Sequence, residues 1–261
     1  MTNTPRLFNL HLLRVLVTRP KPQGFALCQR IEANQGHAIY LPTIEIQPPQ
    51  DISVFRQGLA RIDQQDWLIF VSPQAVYACA GVIVPPQVKI AAVGKGTAQA
   101  LHAAQWPVVV YPVSDWSSEG LLAIPEFQVV AGKKITIVCG EGGRELLANT
   151  LTARGAWVSL LIAYRRALPE IDVNYYLHLL EERQLDAVVC TSGEGLKNLQ
   201  TLLGEAAQPY LLSLPLVVVS ERMQALAQSV GFKIIVLAKN ASHEAILEAL
   251  ATIRKQVCPT R

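Results

Sequence analysis

The sequence predicts an α/β protein whose parallel sheets are divided between two doubly wound domains. Three observations carry this. Short apolar, β-branched runs alternate with windows of helical periodicity along the chain. The 261 residues, 51% hydrophobic and only 16% charged, supply core for two domains of ordinary size. The second half of the chain also repeats the pattern of the first.

Eight runs read as buried strands: RVLVT (14–18), DWLIFV (66–71), VKIAAV (88–93), PVVVYP (107–112), KKITIVC (133–139), DAVVC (186–190), LPLVVV (214–219) and FKIIVL (232–237). They are continuously apolar rather than alternating, as strands covered on both faces must be. Between them GFALCQRIEANQG (24–36), GTAQALHAAQ (96–105), RELLANTLTARG (144–155) and ERMQALAQSVG (221–231) carry apolar residues at helical spacing, several closing on a glycine. Strand–helix alternation implies parallel pairing through right-handed crossovers.

The repeat does not follow a simple split at the middle. Residues 66–72 resemble 186–192, and 88–124 resemble 216–250. Residues 14–48 resemble 134–169. The order is unit A, unit B, then A and B again. Each A unit ends in a further extended run, LPTIEIQ (41–47) and VSLLIAYRR (158–166), that is not followed at once by a helix. These runs are expected to form a two-stranded antiparallel linker, with strands at about 38–47 and 157–166. Each domain then takes A from one half and B from the other. Residues 1–41 with 166–261 form one flavodoxin-like domain and 42–165 the other. The alternative is two consecutive domains divided near residue 130.

Composition narrows the function. Apolar runs fall far short of the ~20 residues of a membrane span. Residues 1–14 lack the ordered features of a signal peptide and read as a tail before the first strand. Cys28, Cys79, Cys139, Cys190 and Cys258 are scattered without a CxxC pair, which suits a reducing cytoplasm. Cys139 and Cys190 lie in strand runs and read as small core hydrophobes. His11, His37, His102, His178 and His243 show no metal-ligand spacing. A net charge of +3 suits an acidic small molecule, and no basic stripe with interleaved aromatics points to nucleic acid. No long apolar stripe is exposed, so a monomer is expected.

In parallel α/β sheets, ligands bind beyond the carboxyl ends of the strands. Here those ends read Thr18-Arg19-Pro20, Ser72-Pro73, Gly94 to Thr97, Ser114 to Glu119, Gly140 to Arg144, Thr191-Ser192-Gly193, Ser220-Glu221-Arg222 and Asn240-Ala241-Ser242. Nearly all are small, polar or glycine-containing and most precede a helix, where free N–H groups favour anions. Any one of them alone is an ordinary cap. Together, on two sheets facing across a hinge, they would line a cleft for a large polyanion. GKGTAQ (94–99) lacks P-loop spacing and GEGGRE (140–145) is not GxGxxG, so ATP, NAD and flavin are not predicted. Arg19 and Arg144 have two readings, a ligand carboxylate or a salt bridge. Tyr164 also has two, a proton donor or a cross-strand packing residue.

In order along residues 14–250, LVTRP (16–20), LPTIEI (41–46), SPQAV (72–76), VGKGTAQAL (93–101), GEGGRELL (140–147), LTARGA (151–156), YRR (164–166), TSGEGL (191–196) and VVSERMQAL (218–226) resemble the uroporphyrinogen-III synthase family. The resemblance implies two α/β domains joined by a two-stranded ladder. It implies a cofactor-free carbon–oxygen lyase of tetrapyrrole biosynthesis acting on hydroxymethylbilane, a linear tetrapyrrole with eight carboxylates. The substrate loses water, ring D inverts through a spiro intermediate, and the macrocycle closes as uroporphyrinogen III. In water the same chain closes without inversion to the type I isomer. The preceding deaminase is the expected donor of substrate.

The resemblance makes Tyr164 the candidate for assisting loss of water. It matches Thr97 to a threonine proposed to contact substrate. With the strand-end reading, the candidate substrate contacts are Arg19, Ser72, Gly94, Thr97, Ser118, Arg144, Thr191, Ser192, Gly193 and Ser220. At 191–193 the chain reads Thr-Ser-Gly where other members carry a Ser-Pro turn, which leaves the relevant hydroxyl there open. The competing reading is a non-catalytic protein that closes on an anionic, tetrapyrrole-like ligand.

Overall fold

A computed structural model describes residues 8–143 and 145–257. The chain divides into two compact units, Met1–Glu45 with Ala167–Arg261, and Ile46–Arg166. All eight predicted runs contain a strand.

In the first unit, β1 (Arg14–Val17) is followed by α1 (Gln23–Ala33) and β2 (His37–Tyr40). After the excursion into the second unit the chain returns through α8 (Asn174–Glu181), β9 (Ala187–Val189), α9 (Gly193–Leu203), α10 (Gln208–Leu211), β10 (Leu216–Val218), α11 (Glu221–Ser229), β11 (Ile235–Leu237) and α12 (His243–Val257). The strand order is β11-β10-β9-β1-β2, and every pair is parallel. Alternation sends Val15, Val17, Ala187, Val189 and Val217 to one face, against Leu27 and Ile31 of α1 and Ile246 and Leu250 of α12. Leu16, Val188, Cys190, Leu216 and Val218 go to the other, against α8, α9 and α11. Both faces are covered, which explains why these strands are apolar throughout.

The second unit begins in β3 (Glu45–Gln47) and runs through α2 (Ile52–Leu59), β4 (Trp67–Phe70), α3 (Pro73–Ala78), β5 (Lys89–Ala92) and α4 (Lys95–Ala103). It continues with β6 (Val108–Val110), α5 (Ser118–Ala123), α6 (Pro125–Gln128), β7 (Lys134–Gly140), α7 (Leu146–Ala153) and β8 (Trp157–Ala167). The order is β3-β8-β7-β4-β5-β6, with β8 to β6 parallel. Chain order reverses between β7 and β4, as it does between β1 and β9 in the first unit. Such reversals open a crevice beyond the strand ends.

The expected linker strand at 38–47 is two strands. β2 pairs with β1 in the first sheet, and β3 lies beside β8 at the edge of the second. Residues 41–44 break the run for one local and one tertiary reason. Pro42 has no N–H to offer a ladder. Thr43 folds inward, fully buried, with its N–H and hydroxyl both on the Thr18 carbonyl (3.2 Å each). The second expected linker strand is β8, a full member of the second sheet.

Glycine is required where α1 leaves β1. A Cβ at Gly24 would collide with the Arg19 carbonyl oxygen and lie 2.5 Å from the Tyr40 ring. Backbone cannot rotate away as a side chain can. Gly24→Ala is therefore expected to cost about 1–3 kcal/mol of stability, read as a lowered midpoint in thermal unfolding.

Candidate active site

The crevice at the reversal in the second unit is a pocket of about 470 Å³. Val71 and Ser72 at the end of β4, and Cys139 and Gly140 at the end of β7, form its floor. Tyr164 and Arg166 of β8, Ser118 of α5 and the loop Glu141-Gly142-Gly143 form its walls. Gly142 has φ +69°, a left-handed turn that lets the loop leave the strand end sharply.

The polar centre is a hydroxyl pair. The Tyr164 hydroxyl lies 3.1 Å from Ser72 Oγ, and Arg166 Nη2 donates to it at 3.5 Å. Ser72 is also the N-cap of α3, its Oγ accepting from the Ala75 N–H at 3.2 Å. That contact uses an oxygen lone pair and leaves the Ser72 proton free to turn toward Tyr164. The arrangement can deliver a phenolic proton and then hold the oxygen left behind between a hydroxyl and a guanidinium. Burial pushes the Cys139 thiol pKa above its ordinary value, so the sulfur stays a neutral wall atom. Glu141 and Glu145 also line the pocket, and Glu141 Oε1 is engaged by the Gln50 N–H at 3.0 Å.

Of the residues expected from sequence, this pocket brings together Ser72, Ser118 and Tyr164. Capping of α5 falls to Ser117, whose Oγ accepts from the Gly120 N–H at 3.0 Å. Ser118 is thus not needed as a cap. Gly94 and Thr97 are not in the wall, although Val93 is. Thr97 is 2% exposed in the first turn of α4, which packs against α3. Arg144 lies outside the described residues. Arg166 and Glu145 were missed. Arg166 could have been found from its spacing, since residues two apart share a face of a strand.

In the first unit Thr191, Ser192, Gly193 and Ser220 converge on a second pocket, of about 590 Å³. It lies at the N-termini of α9 and α11. Ser192 Oγ accepts from the Gly195 N–H (3.0 Å) and Ser220 Oγ from the Met223 N–H (3.3 Å), so both are N-caps. The wall also carries the cations Lys197 and Arg222 and the carboxylate of Glu194; Arg222 belongs to the strand end Ser220-Glu221-Arg222, whereas Lys197 was not expected from sequence. Its signal was positional: it falls within the first helical turns after a Ser cap. Arg19 is not in this wall. Its guanidinium donates to the Ala241 carbonyl at 3.1 Å. There it tethers the β1–α1 turn to the start of α12 and, after burial, helps hold His243 below its ordinary pKa.

Among the described residues no group of His, Cys, Asp or Glu could hold a metal ion, and no helix is long and apolar enough to cross a membrane.

A family profile described as uroporphyrinogen-III synthase HemD matches residues 26–248. The chain is 36% identical to the uroporphyrinogen-III synthase of Escherichia coli over 91% of this chain and 100% of that one. The Salmonella typhimurium enzyme is 37% identical, over the same shares of both chains. In structure the chain is similar to uroporphyrinogen III synthase from Thermus thermophilus, with TM-score 0.62 and 17% identity, over 94% of this chain and 99% of that one. It is likewise similar to the Helicobacter pylori protein, with TM-score 0.59 and 17% identity, over 93% and 100%. The profile match spans most of the chain and the sequence relatives align along nearly all of it, so the chain belongs to the uroporphyrinogen-III synthase family.

Proposed function

We propose that the second-unit pocket is where the family's reaction takes place, with Tyr164 assisting loss of the substrate's terminal hydroxyl. The reaction is the cyclisation of hydroxymethylbilane in tetrapyrrole biosynthesis, and the protein is a lyase of that family. The observation that carries the assignment of residues is the Tyr164–Ser72 pair at 3.1 Å, at the mouth of the strand-order reversal.

In this reading Tyr164 donates its proton to the departing oxygen. The carbon–oxygen bond breaks and water leaves. The substrate becomes an azafulvene-like cation, while Ser72 and Arg166 hold the phenolate. The substituted carbon of ring D attacks first to give the spiro intermediate. Cleavage and reclosure invert ring D, and the proton released on rearomatisation returns to Tyr164. Little other chemistry is required of the protein, because the substrate is already reactive. The remaining work is positioning a flexible polyanion. Arg166 and the backbone N–H groups beside Ser118 suit carboxylates in the second unit. Thr191, Ser192, Gly193 and Ser220, with Lys197 and Arg222, suit further carboxylates in the first. We read both sheets as flavodoxin-like and the protein as a monomer that receives its substrate from the preceding deaminase.

The test is to generate hydroxymethylbilane in place with that deaminase, with and without this protein, then oxidise the products and separate the type I and type III isomers. Dominant type III product is expected. Type I alone, as in the blank, would leave a binding protein without the activity.

A further inference from the structure

Strand β8 changes face at its functional end. It runs in register beside β7 from Lys134↔Trp157 to Cys139↔Ile162, but the next pair is Gly140↔Tyr164. Ala163 is therefore an extra residue, a bulge. Before it, alternation is regular. Val158 and Ile162 pack toward α5 and α7, while Leu161 packs toward α2, α3 and α4. Continued alternation would send Ala163 with Leu161 and Tyr164 with Ile162. Instead Tyr164 follows Ala163 into the same cluster as Leu161.

The ring then lies flat on Gly140. A Cβ at position 140 would sit 2.6 Å from Tyr164 Cζ, 2.7 Å from Cε2 and 3.0 Å from Cε1, all at the hydroxyl end of the ring. Gly140 is not among the glycines with positive φ, so its backbone conformation does not call for glycine. The space taken by the ring does. The Glu141 N–H closes the turn on the Tyr164 carbonyl at 3.0 Å, and Ser72 Oγ meets the hydroxyl at 3.1 Å.

We infer that Gly140, the bulge at Ala163 and Ser72 are the positioning residues that aim the Tyr164 hydroxyl at the substrate's leaving group, an inference that rests on the reaction assigned to this pocket above. A methyl group at 140 must push the hydroxyl end of the ring by roughly 1 Å to reach ordinary contact distance. A displacement of that size costs about 10²-fold in rate.

The experiment is a four-member cycle of wild type, Gly140→Ala, Tyr164→Phe and the double variant, assayed for kcat, KM and isomer ratio on hydroxymethylbilane made in place. Each is also prepared with tyrosine carrying carbon-13 at Cζ for NMR, the Tyr164 signal being assigned by its loss in Tyr164→Phe. Gly140→Ala is expected to lower kcat about 10²-fold at near-constant KM and to shift the Tyr164 resonance selectively. In the Phe background it is expected to change kcat no further, although the ring, and hence the crowding, is still there. Equal losses of kcat in both backgrounds would mark Gly140 as merely structural and overturn the proposal. So would wild-type kcat in Gly140→Ala beside an impaired Tyr164→Phe. If Gly140→Ala does not fold, Ser72→Ala enters the same cycle under the same criteria. If wild type gives only type I product, the assigned reaction fails instead. The NMR arm then decides the geometry by itself, an unmoved Tyr164 signal overturning it.

Discussion

Tyr164→Phe is expected to lower kcat about 10²–10³-fold, leave KM close to that of wild type and shift the product toward the type I isomer. The size follows from general acid catalysis, which contributes 10²–10⁴-fold when a positioned donor protonates a leaving group. The ring is retained, so the floor over Gly140 keeps its shape, and the carboxylate contacts that set KM are untouched. What disappears is the proton at the end of the Ser72–Tyr164 contact. Hydroxide must then leave with water's help alone. Substrate that is bound and released unreacted closes in solution to type I, which is why the isomer ratio moves with the rate. Stability should fall by only about 1 kcal/mol, the net worth of one hydrogen bond, so thermal unfolding separates misfolding from lost chemistry. A Phe variant with wild-type kcat would remove Tyr164 from the mechanism and leave positioning by the loops as the whole of catalysis.

The parts of this site that were legible in sequence are those set by local periodicity. Ser72, Thr191 to Gly193 and Ser220 each follow a continuous apolar run and precede a helical one, and that pattern alone puts them at strand ends. The division of 38–47 has one local cause, Pro42, within a run of otherwise β-forming residues. Its other cause is tertiary: Thr43 turns inward to reach Thr18, 25 positions away. Arg19 sits at a strand end like the others, yet its partner is a carbonyl 222 residues on, which no local pattern reveals. Thr97 lies in a glycine-flanked turn that reads as a ligand loop, but the packing of α4 on α3 buries it. The bulge in β8 is invisible for a similar reason. IAYRR is an ordinary extended run, and the register shift exists only in its pairing with β7.

Arg222 lies in the Ser220-Glu221-Arg222 strand end, whereas Lys197 stands one turn into α9 and outside the loop that the strand-end pattern marks. The prediction they support separates binding from chemistry. The double variant Lys197→Ala/Arg222→Ala is expected to raise KM roughly 10–100-fold at low ionic strength, with kcat at saturation held near wild type. Both side chains are exposed, so their attraction for carboxylates is screened by solvent. Added salt should therefore shrink the difference between variant and wild type, chiefly by raising the wild-type KM. The Ser192 and Ser220 oxygens are already engaged as caps of α9 and α11. Glu194 and Glu221 stand in the first turns of these helices, so attraction for a polyanion rests on the two cations, the hydroxyl protons and the helix dipoles. Removing both cations leaves the hydroxyls and the dipoles, and a polyanion should still bind, but weakly. The paired result is the decisive one. Tyr164→Phe should act on kcat and the double variant on KM, each through a pocket in a different unit of the chain. If the double variant lowered kcat instead, the first-unit pocket would be shaping the transition state rather than gripping carboxylates. If it changed neither constant, Lys197 and Arg222 would be surface charges and the carboxylates would be held elsewhere.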